Sequence, residues 1–274
     1  MPIHCPLTIR PLADEEFAVI DRSVMTCAYA SQNELGRLCE ERVYENDVAA
    51  RLRALGFTEV HTQVPVTVSH GSFAKTYRLD LVGNQMVYEF KTATDFVAEH
   101  DSQGIHYAVL LSVDRVKLLN FRSAKVTGRL KRAPLFAGKN REIRVVATDW
   151  RPLSDRCGSL TGQMKELLQD WGAFLEARLY EEALIHFSGG EAVCVSRLPL
   201  RRDGIPLGHH RMACHAANLG FVVTAMTDGW LDYREHLRRL VRFTGLRGNQ
   251  WLNLCHAELQ LLTIENSRSA ATPK

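Results

Sequence analysis

Tyr77-Arg78-Leu79-Asp80-Leu81-Val82-Gly83-Asn84-Gln85-Met86-Val87-Tyr88-Glu89-Phe90-Lys91 reads as two short apolar strands joined at Gly83-Asn84, a tight-turn signal, and therefore as a β-hairpin. Side chains two apart on a strand share a face, so Glu89 and Lys91 project together, and Asp80 projects beside them from across the hairpin. Charged residues at the end of a strand are ordinarily just solvated. Here both carboxylates interrupt otherwise apolar strands, where an unpaired charge is costly and tends to be retained for function. Two converging carboxylates form an oxygen-ligand site suited to Mg²⁺, with Mn²⁺ as a substitute, and leave room for waters and a phosphate oxygen. A metal there orients and deprotonates a water, while Lys91 helps position that water or stabilises the developing charge. Together these groups suit phosphodiester hydrolysis.

Outward from the hairpin, the chain alternates helical and strand periods. Residues 14 to 35 read as a helix with Asp14 as N-cap and Phe17, Ile20, Val24, Cys27 and Ala28 at helical spacing. A second helix, about 38 to 54, carries Leu38, Val43, Val48 and Leu52 and stops at Gly56. Glu59 to Val68 alternates like a half-buried strand, followed by a turn at Ser69-His70-Gly71. After the hairpin come a helix from 97 to 108, a strand at Ala108 to Ser112 and a last strand at Lys117 to Phe121. The expected fold is α/β, a mixed sheet flanked by helices.

Composition sets the outer limits. With 46% hydrophobic and 24% charged residues the chain is an ordinary globular protein, long enough at 274 residues for one large domain or two small ones. No apolar run approaches the ~18 to 20 residues of a membrane-spanning helix, and the N-terminus lacks a signal-peptide core, so a cytoplasmic location and no membrane partner are expected. Seven scattered cysteines without a CxxC pair argue against a disulfide framework or zinc ribbon. Between residues 122 and 144 lie Arg122, Lys125, Arg129, Lys131, Arg132, Lys139, Arg141 and Arg144 against the single acid Glu142. Such a stretch is either a solvated basic connector or a surface that neutralises phosphates.

Residues 36 to 121 resemble the bacterial GxxExxY proteins, a branch of the PD-(D/E)xK nuclease superfamily, whose core is that of the restriction endonucleases. Glu41-Arg42-Val43-Tyr44-Glu45 resembles the family's ExxYE helix, Gln63-Val64-Pro65-Val66 its QVPV strand, and Tyr77-Arg78-Leu79-Asp80-Leu81 its YRxDL strand. Glu89-Phe90-Lys91 matches ExK, His100-Asp101-Ser102-Gln103 with Tyr107 matches HxxQxxxY, and Asn120-Phe121 a terminal NF. The family's glycine three before the motif Glu is Leu38 here, with Gly36 nearby. The resemblance implies that Asp80 and Glu89 bind metal, that Lys91 is the catalytic lysine, and that Gln103 and Tyr107 support the site or touch nucleic acid. It leaves Glu41 either reaching the metal or holding its helix, and gives His100 and Tyr44 structural roles. The implied partner is nucleic acid, DNA ahead of RNA.

The remainder reads as a worn second copy of the same domain, so that the fold is duplicated in tandem as residues 1–146 and 147–274. Gly36, Glu40, Arg42, Tyr44 and Glu45 recur as Gly172, Glu176, Arg178, Tyr180 and Glu181, each 136 residues on. Val64-Pro65-Val66 recurs as Leu198-Pro199-Leu200, and Gly71, Arg78, Thr94, Asp95 and Asn120 recur 133 residues on. At that shift Asp80, Glu89, Lys91, Gln103 and Tyr107 fall on Ala213, Val222, Thr224, His236 and Leu240, which leaves the copy without catalytic residues. The architecture expected is an internal pseudo-dimer, monomeric or further dimerised. His209, His210, Cys214 and His215 match no zinc spacing. On the helix from 230 to 244, Tyr233, Leu237, Leu240 and Val241 form an apolar stripe. Arg234, Arg238, Arg239 and Arg242 lie opposite it, as a solvated face or a nucleic-acid surface. The rival to a Mg²⁺-dependent nuclease is a catalytically idle nucleic-acid-binding or scaffold protein; a third possibility is a hydrolase of another phosphodiester, such as a nucleotide second messenger.

Overall fold

The computed structural model describes residues 3–133 and 142–266, so Lys139, Arg141 and the tail from residue 267 lie outside the described residues. The chain forms two compact units, Pro2–Phe136 and Ala137–Lys274. Each is built on a six-stranded mixed sheet with helices.

In the first unit, strand β1 (Ile3–His4) is followed by helices α1 (Asp14–Leu35) and α2 (Glu41–Ala54). Strands β2 (Val60–His70), β3 (Phe73–Gly83) and β4 (Met86–Lys91) come next, then α3 (Ala98–Leu111), β5 (Arg115–Asn120) and β6 (Thr127–Arg132). The sheet order is β1-β2-β3-β4-β5-β6, antiparallel except for the β4–β5 pair, which α3 connects as a parallel crossover. α1 and α2 cover one face. Val24 and Ala28 of α1 and Tyr44, Val48 and Leu52 of α2 pack there on Tyr88, Phe90, Leu119 and Phe121. β4 is buried along its whole length, as a central strand covered on both faces must be.

Three details of the sequence reading need correction. Asp14 is the first residue of α1, with Ala13 at the cap position, and its carboxylate pairs with Arg115 at 2.6 Å. Residues Ala108–Leu111, expected as strand, are the last turn of α3, which Ser112 ends in a left-handed conformation (φ 54°). A four-residue apolar run fits a buried strand or a buried helix turn equally, and here the helix continues onto β5. The basic residues from Thr127 to Arg132 form the edge strand β6 instead of a connector.

The second unit begins with β7 (Arg144–Asp149), α4 (Arg156–Trp171), α5 (Ala177–Phe187) and the short α6 (Glu191–Cys194). It continues with β8 (Val195–Arg202), β9 (Ile205–Ala216), β10 (Leu219–Thr224), α7 (Trp230–Thr244), β11 (Gly248–Cys255) and β12 (Glu258–Glu265). The order β8-β9-β10-β11-β12 repeats the directions of β2-β3-β4-β5-β6, with the parallel pair again bridged by a helix. Glu89 pairs with Leu118 and Val222 with Trp251; Arg115 pairs with Arg132 and Gly248 with Glu265, each position 133 residues on. The extra strand differs, because β1 lies beside β2 whereas β7 lies beside β12.

Two framework hydrogen bonds also recur. Tyr44 Oη donates to the carbonyl of Gly36 at 2.7 Å, and Tyr180 Oη donates to the carbonyl of Gly172. Both glycines end a helix at positive φ (76° and 81°), which a side chain resists. Asn120 Nδ2 donates to the carbonyl of Ala93 at 2.8 Å, and Asn253 Nδ2 donates to that of Met226 at 3.0 Å.

Candidate active site

The β3–β4 ladder runs from Gly83–Met86 to Leu81–Tyr88 and stops there. Asp80 and Glu89 stand where the strands part. Asp80 takes over the lost ladder bond, since its Oδ2 accepts the backbone N–H of Phe90 at 2.8 Å. Tyr88 and Phe90 point into the α1/α2 core, so Glu89 and Lys91 point to the opposite face, where α3 supplies Gln103. Lys91 Nζ donates to Glu89 Oε1 at 2.8 Å, and Gln103 Nε2 donates to the same oxygen at 2.7 Å. Gln103 also donates to Tyr107 Oη at 3.2 Å, and Tyr107 reaches the carbonyl of Arg78. The other oxygen, Glu89 Oε2, is buried and receives no N–H among the described residues; its neighbour is the Asp80 carboxyl, with which Glu89 can share a hydrogen bond only when one of the two is protonated.

On the far side of Asp80, Gln63 Nε2 donates to Asp80 Oδ1 at 3.2 Å and to Glu45 Oε2 at 2.8 Å. Gln63 holds a left-handed backbone conformation (φ 54°) inside a strand, the kind of strain that collects at functional sites. Glu45 is itself buried and paired with Arg42 at 2.9 Å. Glu41 Oε1 accepts the N–H of Thr92 at 2.9 Å, tying the start of α2 to the residue after Lys91. Glu41, Glu45, Gln63, Asp80, Thr92 and Arg122 line one shallow open depression.

The electrostatics follow from crowding acids where water is excluded. Burial pushes the Asp80 carboxyl up to about 6; the charge of Glu45 adds to this, while the Phe90 N–H and Lys91 oppose it. Glu89 is likewise held well above the usual carboxylate range by burial and by Asp80, against the pull of Lys91. Burial disfavours the Lys91 ammonium, but Glu89, Asp80 and Glu41 outweigh burial and hold the group above its usual range. Among the described residues no group of three His, Cys, Asp or Glu side chains could hold a metal ion unaided. Mg²⁺ binds through one or two carboxylates and keeps its waters, so the Glu89 oxygen that receives no N–H, beside Asp80, fits that ion.

Asp80, Glu89, Lys91, Gln103 and Tyr107 are therefore brought together, with Glu41 at the rim. His100 accepts the N–H of Val97 through Nδ1, at the start of α3. Sequence reading passed over Glu45 and Gln63 as site residues. The signal was present, because Glu45 lies one helical turn from Glu41 on the same face. Of the basic residues, Arg129 and Lys131 pair with Asp101 (3.2 and 3.1 Å), and Arg132 with Asp14 and Asp114 (3.4 and 3.7 Å). Arg238 pairs with Glu235 on α7, and Arg242 lies over the Phe243 ring.

The corresponding place in the second unit is apolar. A register shift at Leu219/Gly220 sets Ala213 opposite Phe221, the place Leu81 holds opposite Tyr88, so the residue before it, Met212, takes the place of Asp80. Met212 is buried with Leu237, Val241 and Trp251, and Val222 packs against them. Thr224, in the place of Lys91, accepts the indole N–H of Trp251 at 2.7 Å.

Residues 18–133 match the family model described as the PD-(D/E)XK nuclease superfamily. No curated protein and no solved structure matches the chain. No helix among the described residues is long and apolar enough to cross a membrane.

Proposed function

Taking the first unit as a nuclease-superfamily domain, we propose that the chain hydrolyses phosphodiester bonds in nucleic acid, DNA ahead of RNA, with Mg²⁺ held by Asp80 and Glu89. The observation that carries this reading is the buried pair of carboxyls, Asp80 and Glu89, both disfavoured as anions by burial and neighbouring acids, with a Glu89 oxygen that receives no N–H among the described residues. Bound there, the metal supplies activation of a water and neutralisation of charge on the phosphate. The chain's own residues do the rest. Phe90 N–H and Gln63 aim Asp80, while Gln103 and Tyr107 fix Glu89. Lys91, held charged by its acidic neighbours, meets the charge that develops on the phosphoryl oxygens.

We assign the first unit to the GxxExxY branch on its motifs and read the second unit as a degenerate copy of it, a reading supported by the shared strand order and register. Arg129, Lys131, Arg132 and Arg238 are proposed phosphate contacts that exchange their present acidic partners for nucleic acid, joined by Arg242, which lies over Phe243. An idle binding protein of the same fold is the rival reading, favoured by the apolar filling of the second unit. Incubation of duplex DNA, single-stranded DNA and RNA with Mg²⁺ or Mn²⁺ separates them: cleavage that stops with Asp80→Ala supports the nuclease. Binding without cleavage under either ion supports the rival.

A further inference from the structure

The β8–β9 hairpin of the second unit has an outer half that is exposed throughout. Every residue from Arg201 to Arg211 is exposed, whereas the matching β2–β3 hairpin keeps Val66, Val68 and Phe73 buried near its tip. A two-stranded ribbon wetted on both faces has marginal stability of its own. Its tip is nonetheless sharply defined: Arg202 pairs with Ile205 across Asp203-Gly204, both at positive φ (51° and 83°), the pattern of a tight two-residue hairpin turn.

The charge on this ribbon is unbalanced. Alternation puts Arg197 and Pro199 on one face, the register places Arg211 opposite Arg197 and His209 opposite Pro199, and an irregularity between Leu200 and Arg201 interrupts the ladder before the tip. Two arginines directly across a ladder repel each other. Arg211 is paired with Glu191 at 2.5 Å, but Arg197, Arg201 and Arg202 enter no ion pair among the described residues. Near the tip, Ile205 and Leu207 are 57% and 52% exposed.

We infer that this ribbon is an arm that enters a groove of duplex DNA, with Arg197, Arg201 and Arg202 on phosphates and Ile205 and Leu207 against the bases. The major groove admits a two-stranded ribbon, a polyanion relieves the repulsion between arginines, and apolar side chains at the ribbon tip can meet thymine methyl groups there. The arm borrows from the proposed function only the choice of nucleic acid as ligand, and it gives a unit without catalytic carboxylates a role in holding substrate.

The test is fluorescence anisotropy of a labelled duplex titrated with the full chain in chelator, across a range of salt. Because all the altered residues are exposed, the variants should melt at the wild-type temperature. Arg197→Ala/Arg201→Ala/Arg202→Ala should weaken binding about ten-fold or more and flatten the slope of log affinity against log salt by about 2 to 3. Ile205→Ser/Leu207→Ser should weaken binding with the slope unchanged. Wild-type affinity and slope in the triple variant would overturn the arm, as would variants that lose only binding to anionic lipid vesicles. The two readings fail separately. Cleavage that depends on Asp80 with binding indifferent to the arm overturns the arm alone; binding through the arm with no cleavage under any divalent ion overturns the proposed function alone.

Discussion

The two units share a five-strand arrangement, a parallel pair in the same register, and the Tyr44/Tyr180 and Asn120/Asn253 framework bonds. They part company at the end of the β3–β4 ladder and its counterpart. There the first unit buries Asp80, Glu89 and Lys91, and the second buries Met212 beside Val222 and Trp251. A sheet of this kind is evidently held together by its framework and its apolar layers, whichever of the two sets stands at this place. Carboxylates buried at such a cost to the anion are the reason the proposed function is assigned to the first unit.

The comparison breaks most visibly by putting the charge back. Met212→Asp should destabilise the second unit by about 3 to 4 kcal/mol, since it buries an acid without a lysine or glutamine to meet it. A melting temperature within a degree or two of wild type would mean that the second unit still tolerates a polar site. Next in size, Lys91→Ala should lower cleavage on the order of 10²-fold while leaving the fold intact. Undiminished cleavage would remove the catalytic role of the lysine.

A smaller effect has a defined pH window. Asp80 is raised from 3.8 to about 6 in the folded chain. Between those values the unfolded chain ionises first, so the cost to folding grows as pH rises from about 4 and is complete above about 6. Asp80→Asn should therefore stabilise the metal-free protein at pH 8, on the order of 2 kcal/mol, with the gain fading as pH falls from about 6 to about 4. Denaturant melts at both pH values check it, and Mg²⁺ should narrow the difference by binding only the wild type. Smallest, Tyr44→Phe and Tyr180→Phe should each cost about 1 kcal/mol through the lost bond to a glycine carbonyl. Widely unequal losses would show that the two bonds do different jobs.

Much of this was legible in the sequence. The hairpin and the Asp80, Glu89 and Lys91 constellation follow from period and turn chemistry, and the recurrence of Gly36, Tyr44 and Asn120 marked the shared framework. What stayed hidden depended on tertiary context. The last turn of α3 is a short apolar run with no periodicity to decide it. β6 is a half-exposed edge whose basic side chains find partners only once α1 and α3 are in place. Met212 reaches the position of Asp80 through a register shift of one residue, which a constant sequence offset cannot reveal.

The central claim, that Asp80 and Glu89 hold a divalent metal which Lys91 does not, is met most directly by calorimetric titration of Mn²⁺. Wild type and Lys91→Ala should bind one ion with comparable affinity, and Asp80→Ala should bind it at least about ten-fold more weakly, a tenfold change corresponding to about 1.4 kcal/mol. Equal affinity in wild type and Asp80→Ala would contradict the account.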